Sequence, residues 1–154
     1  MNNPTISGRF QKLTINLKEG VRPPEYGSEG ASGFDLRANI ENDIVIEPNC
    51  TALIPTGLYM AVPAGFELQV RSRSGLAAKN QVFVLNTPGT VDSDYRGEVK
   101  VILHNASRLP FVVHTGDRIA QGVICPVVHA VWNVVESLES SERGEGGFGS
   151  TGVK

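Results

Sequence analysis

Short apolar runs separated by glycine and proline are the feature that most constrains how this chain can fold. The 154 residues include 17 glycines and 9 prolines, spread along the sequence and dense only at its C-terminal end. At residues 12–17 and 98–104, apolar and polar residues alternate with a period of two, as in a strand with one buried face. No stretch sustains the period of an amphipathic helix. The pattern therefore predicts an all-β sandwich or barrel.

The same pattern predicts the individual elements. Residues 74–79 favour a short helical turn, and residues 21–27 favour a loop because their two prolines cannot donate to a sheet. Residues 1–142 are expected to form one domain, whereas five glycines make residues 143–154 a tail that we expect to be mobile until a ligand orders it. Strands are predicted at 12–17, 34–38, 44–46, 52–54, 58–62, 66–71, 82–85, 98–104, 111–113, 118–128 and 131–135.

Charge and composition exclude several classes of function. Lys and Arg total 14 against 16 Asp and Glu, and a net charge of −2 argues against a general nucleic-acid binder. No apolar run approaches the ~20 residues of a membrane span, and the first residues lack the apolar core of a secretory signal. We therefore expect a cytoplasmic protein with no membrane partner. The two cysteines and three histidines show no disulfide or metal-ligand spacing, so zinc and thiol chemistry are not expected.

Four segments carry more polar chemistry than a sandwich needs. The first is residues 71–76, Arg-Ser-Arg-Ser-Gly-Leu, which leave a predicted strand and enter the predicted helical turn. Free N–H groups at a helix start, together with arginine and serine donors, are suited to binding an oxyanion. The alternative interpretation is a serine N-cap flanked by solvated arginines.

The second segment, residues 86–98, combines an amide, two aspartates, a tyrosine and an arginine with Pro-Gly and Asp/Ser turn residues. Its turn chemistry predicts a hairpin. If residues 91–95 are extended, Asp92 and Asp94 project to the same face. An ionised aspartate can accept a proton from water. The alternative interpretation is an ordinary polar turn.

The third and fourth segments lie near the C-terminus. Residues 116–121 carry charged side chains and an amide where a predicted strand begins, which marks them as a candidate functional segment. The alternative interpretation is a turn followed by a core strand that buries Ile119. In residues 143–152, glycines let backbone N–H groups crowd round a phosphate, and Phe148 suits a flat partner such as a nucleobase. The alternative there is a disordered end. The side-chain donors of this tail are Arg143, Ser150 and Thr151.

Together with residues 31–36, Ala-Ser-Gly-Phe-Asp-Leu, the order and spacing of these segments resemble the five-motif signature of the trimeric deoxyuridine triphosphatase (dUTPase, dUTP diphosphatase) family. The resemblance runs from residue 31 to 152 and is most specific at residues 92–97 and 143–152. It implies a jelly-roll-type β-sandwich or distorted barrel that forms a homotrimer, with each active site built from all three chains. Residues 131–135 resemble the C-terminal strand that the family swaps onto a neighbour.

The resemblance also implies a reaction, which is the hydrolysis of dUTP to dUMP and diphosphate. Asp92 matches the general base that activates water for attack on the α-phosphorus, and Tyr95 matches the residue whose ring leaves no room for a 2′-hydroxyl. Asn86 and the backbone after it match the segment that hydrogen-bonds uracil and excludes a 5-methyl group. The residues implied to contact substrate are Arg73, Ser74, Gly75, Asn86, Gly89, Thr90, Val91, Asp92, Tyr95, Lys100, Gln121, Arg143, Phe148, Gly149, Ser150 and Thr151.

The implied cofactor is Mg²⁺, held mainly by the substrate phosphates and water rather than by protein ligands. Asp35 and Arg118 match supporting residues of the phosphate and metal region. The sequence departs from the family pattern at Ser72, where proline is frequent, and at Phe34, where tyrosine is common. Gly122 replaces a bulkier apolar residue, which predicts a bulge or a closer backbone approach.

Two other functions fit parts of the pattern. A dCTP deaminase, either monofunctional or bifunctional, would share the sandwich and the trimer, and a catalytically silent jelly-roll protein would share the fold alone. The close match of residues 92–95 to the diphosphatase pattern argues against the deaminase. The presence of Asp92 argues against the silent protein.

Overall fold

The computed structural model describes residues 12–147, and the chain in this range is built mainly from strands. One short helix, α1 (Ser74–Asn80), ends at Gln81, whose φ of 56° is left-handed. The predicted helical turn and the all-β class are confirmed. No helix in the described range has the length and apolar character needed to cross a membrane. The strands are β1 (Thr14–Leu17), β2 (Phe34–Arg37), β3 (Ile44–Ile46), β4 (Thr51–Ala61), β5 (Phe66–Arg71), β6 (Val82–Val84), β7 (Gly89–Val91), β8 (Glu98–Asn105), β9 (Phe111–Val113) and β10 (Arg118–Pro126).

The strands form two four-stranded sheets, in the orders β1-β4-β8-β6 and β2-β10-β5-β7, and β3 pairs with β9 in a small third sheet. The apolar faces of the sheets share one core, in which Ile54, Leu68 and Leu103 are completely buried. Burying a side chain of this kind contributes about 1.5–3 kcal/mol. The period-two alternation of residues 98–104 therefore contributes to the core that holds the sheets together. At residues 12–17 the predicted face is not buried in the single chain, because Ile15 is exposed and Leu13 and Leu17 are only partly buried against the core.

Strand β4 differs from the prediction of separate strands at 52–54 and 58–62. A single strand, Thr51–Ala61, continues through Pro55, although its register against β8 shifts just after that proline. The shifted segment is stabilised from a distant part of the chain, because Glu98 Oε1 accepts a hydrogen bond from one of its backbone N–H groups at 2.8 Å. The positions of glycine and proline in the sequence do not indicate this hydrogen bond.

The predicted strand at residues 131–135 is absent from the single chain. Val131, Trp132 and Val134 are 98%, 85% and 93% exposed, and their segment pairs with no strand among the described residues. A strand needs a neighbour for its backbone groups, and the described part of this chain provides none here. The other eight predicted strands agree with the structure to within two residues at either end.

Candidate active site

A cavity of about 280 Å³ lies where β2, β10 and the start of α1 meet, and we call it the Asp35 cavity. Its charged lining residues are Asp35, Arg73 and Arg118, one anion and two cations, which sum to a formal charge of +1. A concave surface with net positive charge attracts anions. The full lining consists of Gly27, Ser28, Ala31, Gly33, Asp35, Arg73, Ser74, Gly75, Arg118 and Gln121.

Strand pairing brings these residues together from distant parts of the sequence. Gln121 of β10 lies opposite Asp35 of β2 on one side and opposite Arg71 of β5 on the other. Strand β5 ends there, and α1 begins three residues later at Ser74. The N-cap of α1 is Arg73, with no side-chain capping bond, so the alternative interpretation of a serine N-cap is wrong.

The Asp35 carboxylate holds both arginines of the cavity. Its Oδ1 lies 3.1 Å from Arg73 Nε, and its Oδ2 lies 3.5 Å from Arg118 Nη1. Arg73 Nη1 also donates to the Arg118 carbonyl oxygen at 3.0 Å. The side chains of Asp35 and Arg73 are only about one quarter exposed, which limits the screening of their charges. The guanidinium groups are thereby fixed in orientation, as recognition of a phosphate requires.

Ser72 makes hydrogen bonds in this region, although the sequence motif did not predict it as a site residue. Its N–H donates to Thr87 Oγ1 at 3.2 Å, and its Oγ accepts from the Val84 N–H at 3.0 Å. Its carbonyl oxygen accepts from Gln121 Nε2 at 2.9 Å. The one indication in the sequence is that the family it resembles often has proline at this position. Proline has no N–H to donate, whereas Ser72 has one. Ser72 therefore joins the Asp35 cavity to the segment that follows β6.

Two glycines allow close approach behind the cavity. A Cβ atom on Gly33 would lie 2.6 Å from Gln121 Oε1, and one on Gly122 would lie 2.5 Å from the ring of Phe34. Gly122 thus permits the closer approach that was predicted, and the register irregularity of β10 lies earlier in the strand. For Gly33, the indication in the sequence is its position directly before strand β2.

Residues 86–97, which we call the 86–97 segment, do not form the predicted hairpin. The segment contains β7 and the turn into β8, but β7 pairs with β5, whereas β8 pairs with β4 and β6. Because both edges of β8 are occupied, β7 pairs in the other sheet. Gly89 is buried opposite Val70, and a Cβ atom at Gly89 would lie 3.0 Å from Asn86 Nδ2.

Asp92 begins a turn rather than continuing β7. The Tyr95 N–H donates to the Asp92 carbonyl oxygen at 3.2 Å. Arg96 Nη1 donates to the carbonyl oxygens of Ser93 and Tyr95 at 2.7 and 2.8 Å. The extended conformation that would place Asp92 and Asp94 on one face is therefore wrong. Both aspartates are exposed, and local bonds hold the turn that carries them.

The Asp35 cavity and Asp92 lie towards opposite ends of β5. Val91 pairs with Leu68, three residues before Arg71 at the cavity end. At a rise of about 3.4 Å per residue, this separates Asp92 from the cavity end by about 10 Å or more along the sheet. Lys100 is exposed on β8, in the other sheet.

The described part of the tail forms a local turn. Arg143 Nε donates to the Gly146 carbonyl oxygen at 2.6 Å, and the Gly144 N–H donates to the Ser141 carbonyl oxygen at 3.0 Å. Arg143 is not among the residues that line the Asp35 cavity. The predicted contacts at Phe148, Gly149, Ser150 and Thr151 lie outside the described residues.

Comparison with known proteins identifies the family. A dUTPase family model matches residues 20–152. A deoxyuridine 5'-triphosphate nucleotidohydrolase of Ehrlichia canis is 49% identical over 154 residues, covering 99% of each chain. One of Desulfotalea psychrophila is 55% identical over 135 residues, covering 88% of this chain and 90% of the relative.

Solved structures give the same result. A Staphylococcus bacteriophage 80alpha dUTPase, solved with dUpNHpp, is 28% identical with a TM-score of 0.80 and covers 94% of this chain and 100% of its own. A variant of the same phage enzyme reaches a TM-score of 0.81 at 27% identity, covering 90% of this chain and 98% of its own. The sandwich is therefore of the jelly-roll type. The chain belongs to the dUTPase family.

Proposed function

We propose that this enzyme hydrolyses dUTP to dUMP and diphosphate by attack of water on the α-phosphorus, which lowers dUTP and supplies dUMP for thymidylate synthesis. The observation that carries the proposal is the pair of arginines that Asp35 holds in the cavity of a chain about 50% identical to named deoxyuridine triphosphate nucleotidohydrolases. A triphosphate carries the negative charge that this positively charged cavity attracts. Phosphoryl transfer needs mainly positioning and charge stabilisation, which fixed guanidinium groups provide.

In this proposal the Asp35 cavity receives the phosphates. Arg73 donates from its guanidinium, Ser74 and Gly75 donate from the start of α1, and Gln121 donates from β10. Asp35 and Arg118 act as supporting residues, because the carboxylate orients both guanidinium groups. One effect of this arrangement is that the arginines do not have to reorganise when the substrate arrives.

The 86–97 segment receives the nucleoside. Asn86 and the backbone of residues 89–91 hydrogen-bond uracil, and the tight packing of Gly89 against the Asn86 amide favours a rigid pocket that rejects a 5-methyl group. The Tyr95 ring lies under the deoxyribose, and Lys100 of β8 also contacts the substrate. Asp92, exposed on its turn, accepts a proton from the attacking water and orients it towards the α-phosphorus.

Mg²⁺ fits this site as an ion that arrives with the substrate. It prefers oxygen ligands and retains water, and a triphosphate supplies such oxygens. Among residues 12–147 no group of three or more acidic, histidine or cysteine side chains could hold an ion. Asp35 is the carboxylate of the cavity, so we expect it to contact the water shell while the phosphates supply the direct ligands. The bound ion would neutralise phosphate charge.

A homotrimer with shared sites accounts for the separation of the two regions. One chain carries its Asp35 cavity and its Asp92 turn towards opposite ends of β5, which supports a site built from the cavity of one copy and the 86–97 segment of another. The exposed apolar side chains of residues 128–138 provide a surface for such assembly. We propose that residues 131–135 pair with a neighbouring copy. The tail then brings Arg143, Phe148, Gly149, Ser150 and Thr151 over the bound substrate.

The test is an assay of purified protein with Mg²⁺ against dUTP, dTTP, UTP and dCTP, following diphosphate and ammonia. We expect diphosphate release from dUTP with a strong preference over the other three nucleotides. Ammonia release from dCTP would instead support a deaminase. Absence of dUTP cleavage, or equal cleavage of dUTP, dTTP and UTP, would overturn the proposal.

A further inference from the structure

The ring of Tyr95 lies against the backbone of Gly97. A Cβ atom at position 97 would overlap the Tyr95 hydroxyl and the carbon that bears it, and would lie 2.9 Å from Cε2. Real Cβ atoms do not approach other atoms this closely, so any side chain larger than hydrogen at position 97 would displace the ring.

The backbone at Gly97 does not itself require glycine. The described glycines with left-handed φ are at positions 20, 57, 65, 116 and 144, and Gly97 is not one of them. Alanine is therefore compatible with the local backbone, and the conflict it would create is with the Tyr95 side chain. Because that side chain is 45% exposed, its ring has room to move into solvent.

A hydrogen bond also holds the hydroxyl end of the Tyr95 ring. The Tyr95 hydroxyl donates to the Glu98 carbonyl oxygen at 3.1 Å. Glu98 is itself held firmly, because its carboxylate accepts from the Gly57 N–H at 2.8 Å and pairs with Lys18 Nζ at 3.3 Å. The Glu98 side chain is only 9% exposed, and the mechanism proposed above gives it no chemical step.

We propose that Gly97 and Glu98 are positioning residues that set the preference for deoxyribose over ribose by fixing the Tyr95 ring. The inference rests on the proposed function, in which this ring lies under the sugar. Gly97 leaves the space that the ring occupies, and Glu98 supplies the acceptor that anchors the hydroxyl. A displaced ring no longer blocks the position of a 2′-hydroxyl.

The test compares kcat/KM for dUTP and UTP in the wild type, Gly97→Ala and the control Gly30→Ala. A Cβ atom on Gly30 meets nothing within 4 Å, and Gly30 has no left-handed φ. We expect Gly97→Ala to lower the dUTP-over-UTP ratio by roughly tenfold, in the range of one misplaced group in a pocket, and Gly30→Ala to leave it unchanged. An equal loss of activity on both nucleotides would overturn the inference. Failure of the wild type to cleave dUTP would instead overturn the proposed function.

Two further variants keep the inference testable if Gly97→Ala does not fold. Tyr95→Phe retains the ring but loses the bond to the Glu98 carbonyl, and we expect the ratio to fall by roughly two- to tenfold, the range for one hydrogen bond. In a Tyr95→Ala background, Gly97→Ala should have no further effect on the ratio, because the effect acts through the ring. An unchanged ratio in Tyr95→Phe, or an additive effect in the Tyr95→Ala background, would contradict the inference.

Discussion

The Asp35 cavity and the 86–97 segment are stabilised in opposite ways. The cavity depends on contacts between residues that are far apart in the sequence, such as the pair of Asp35 with Arg118 across 83 positions. The turn at Asp92 depends on bonds that span one to three residues, made by Tyr95 and Arg96. The cavity is therefore a product of the whole fold. The turn, in contrast, is formed by hydrogen bonds between residues that are close together in the sequence.

This difference suggests a division of labour between the two regions. The cavity must hold cationic groups in fixed positions, and partly buried long-range pairs resist both screening and displacement. The turn must present a carboxylate to a water molecule, and an exposed local turn does this without burying charge. Changes in the cavity should therefore affect substrate binding, whereas changes in the turn should affect turnover.

The largest expected effect comes from Asp92→Asn. The amide cannot accept the proton of the attacking water, so kcat should fall by about 10²-fold or more, whereas binding of a non-hydrolysable dUTP analogue should remain. Steady-state kinetics and calorimetric titration measure the two quantities. Asp94→Asn makes the same change in the same exposed turn and should lose much less activity. Equal losses in both variants would remove Asp92 from its role.

Arg73→Ala should affect binding more than the chemical step. It removes a guanidinium that pairs with Asp35 and is proposed to contact phosphate, so KM for dUTP should rise by roughly ten- to a hundredfold, the range for a lost bond to a charged group. The matched control is Arg108→Ala, because Arg108 is exposed and lies outside both regions. A fall in kcat with unchanged KM would show that the cavity serves the chemical step instead.

Ser72→Ala should destabilise the fold beside the Asp35 cavity, because it removes the hydroxyl that accepts from the Val84 N–H. The buried Val84 would keep an N–H with no acceptor, which costs about 1–3 kcal/mol in the free energy of unfolding. Denaturant unfolding at fixed protein concentration measures this cost. Ser32→Ala, at an exposed position, is the control and should change the free energy of unfolding by much less. An unfolding free energy equal to that of the wild type would show that the Ser72 hydroxyl is not needed to satisfy the Val84 N–H.

The smallest effect concerns a surface pair outside both regions. His114 Nδ1 lies 2.8 Å from Asp43 Oδ2, and this hydrogen bond and the carboxylate charge raise the pKa of His114 above its ordinary value of 6.5. Because the folded pKa is raised, the stabilisation is fully present below the ordinary pKa and is lost as the pH rises through the folded pKa. An NMR titration of His114 in the wild type and in Asp43→Asn should show a lower pKa in the variant. Identical titration curves would contradict this assignment.

Local patterns predicted most of the strands, but not how the strands join. Alternation at residues 98–104 marks a strand with one buried face, and the similar alternation at residues 12–17 marks a strand whose apolar side chains are only partly covered. Continuation of β4 through Pro55 depends on Glu98, a residue more than forty positions away, and no local pattern contains that contact. The hairpin prediction failed for the same reason, since β4 and β6 occupy both edges of β8.

The candidate site shows the same limit. Turn residues marked the 86–97 segment correctly as a place with special chemistry, although its conformation at residues 91–95 was wrong. The resemblance implied supporting roles for Asp35 and Arg118, but the pairing of Asp35 with Arg73 and Arg118 could not be inferred, because it arises from the pairing of β10 with β2 on one side and with β5 on the other. Residues 131–135 have the pattern of a strand but need a partner that residues 12–147 of a single chain do not provide.

The most direct test mixes two impaired variants at a dUTP concentration well below the raised KM of Arg73→Ala, where each variant alone has lost most of its activity. If each site combines the Asp35 cavity of one copy with the 86–97 segment of another, co-assembly of Asp92→Asn chains with Arg73→Ala chains rebuilds intact sites. Random assembly in equal amounts should give about a quarter of the wild-type number of intact sites and restore dUTP hydrolysis to that order. If the mixed assembly is no more active than either variant alone, cavity and turn of one chain serve the same site, and the central claim is wrong.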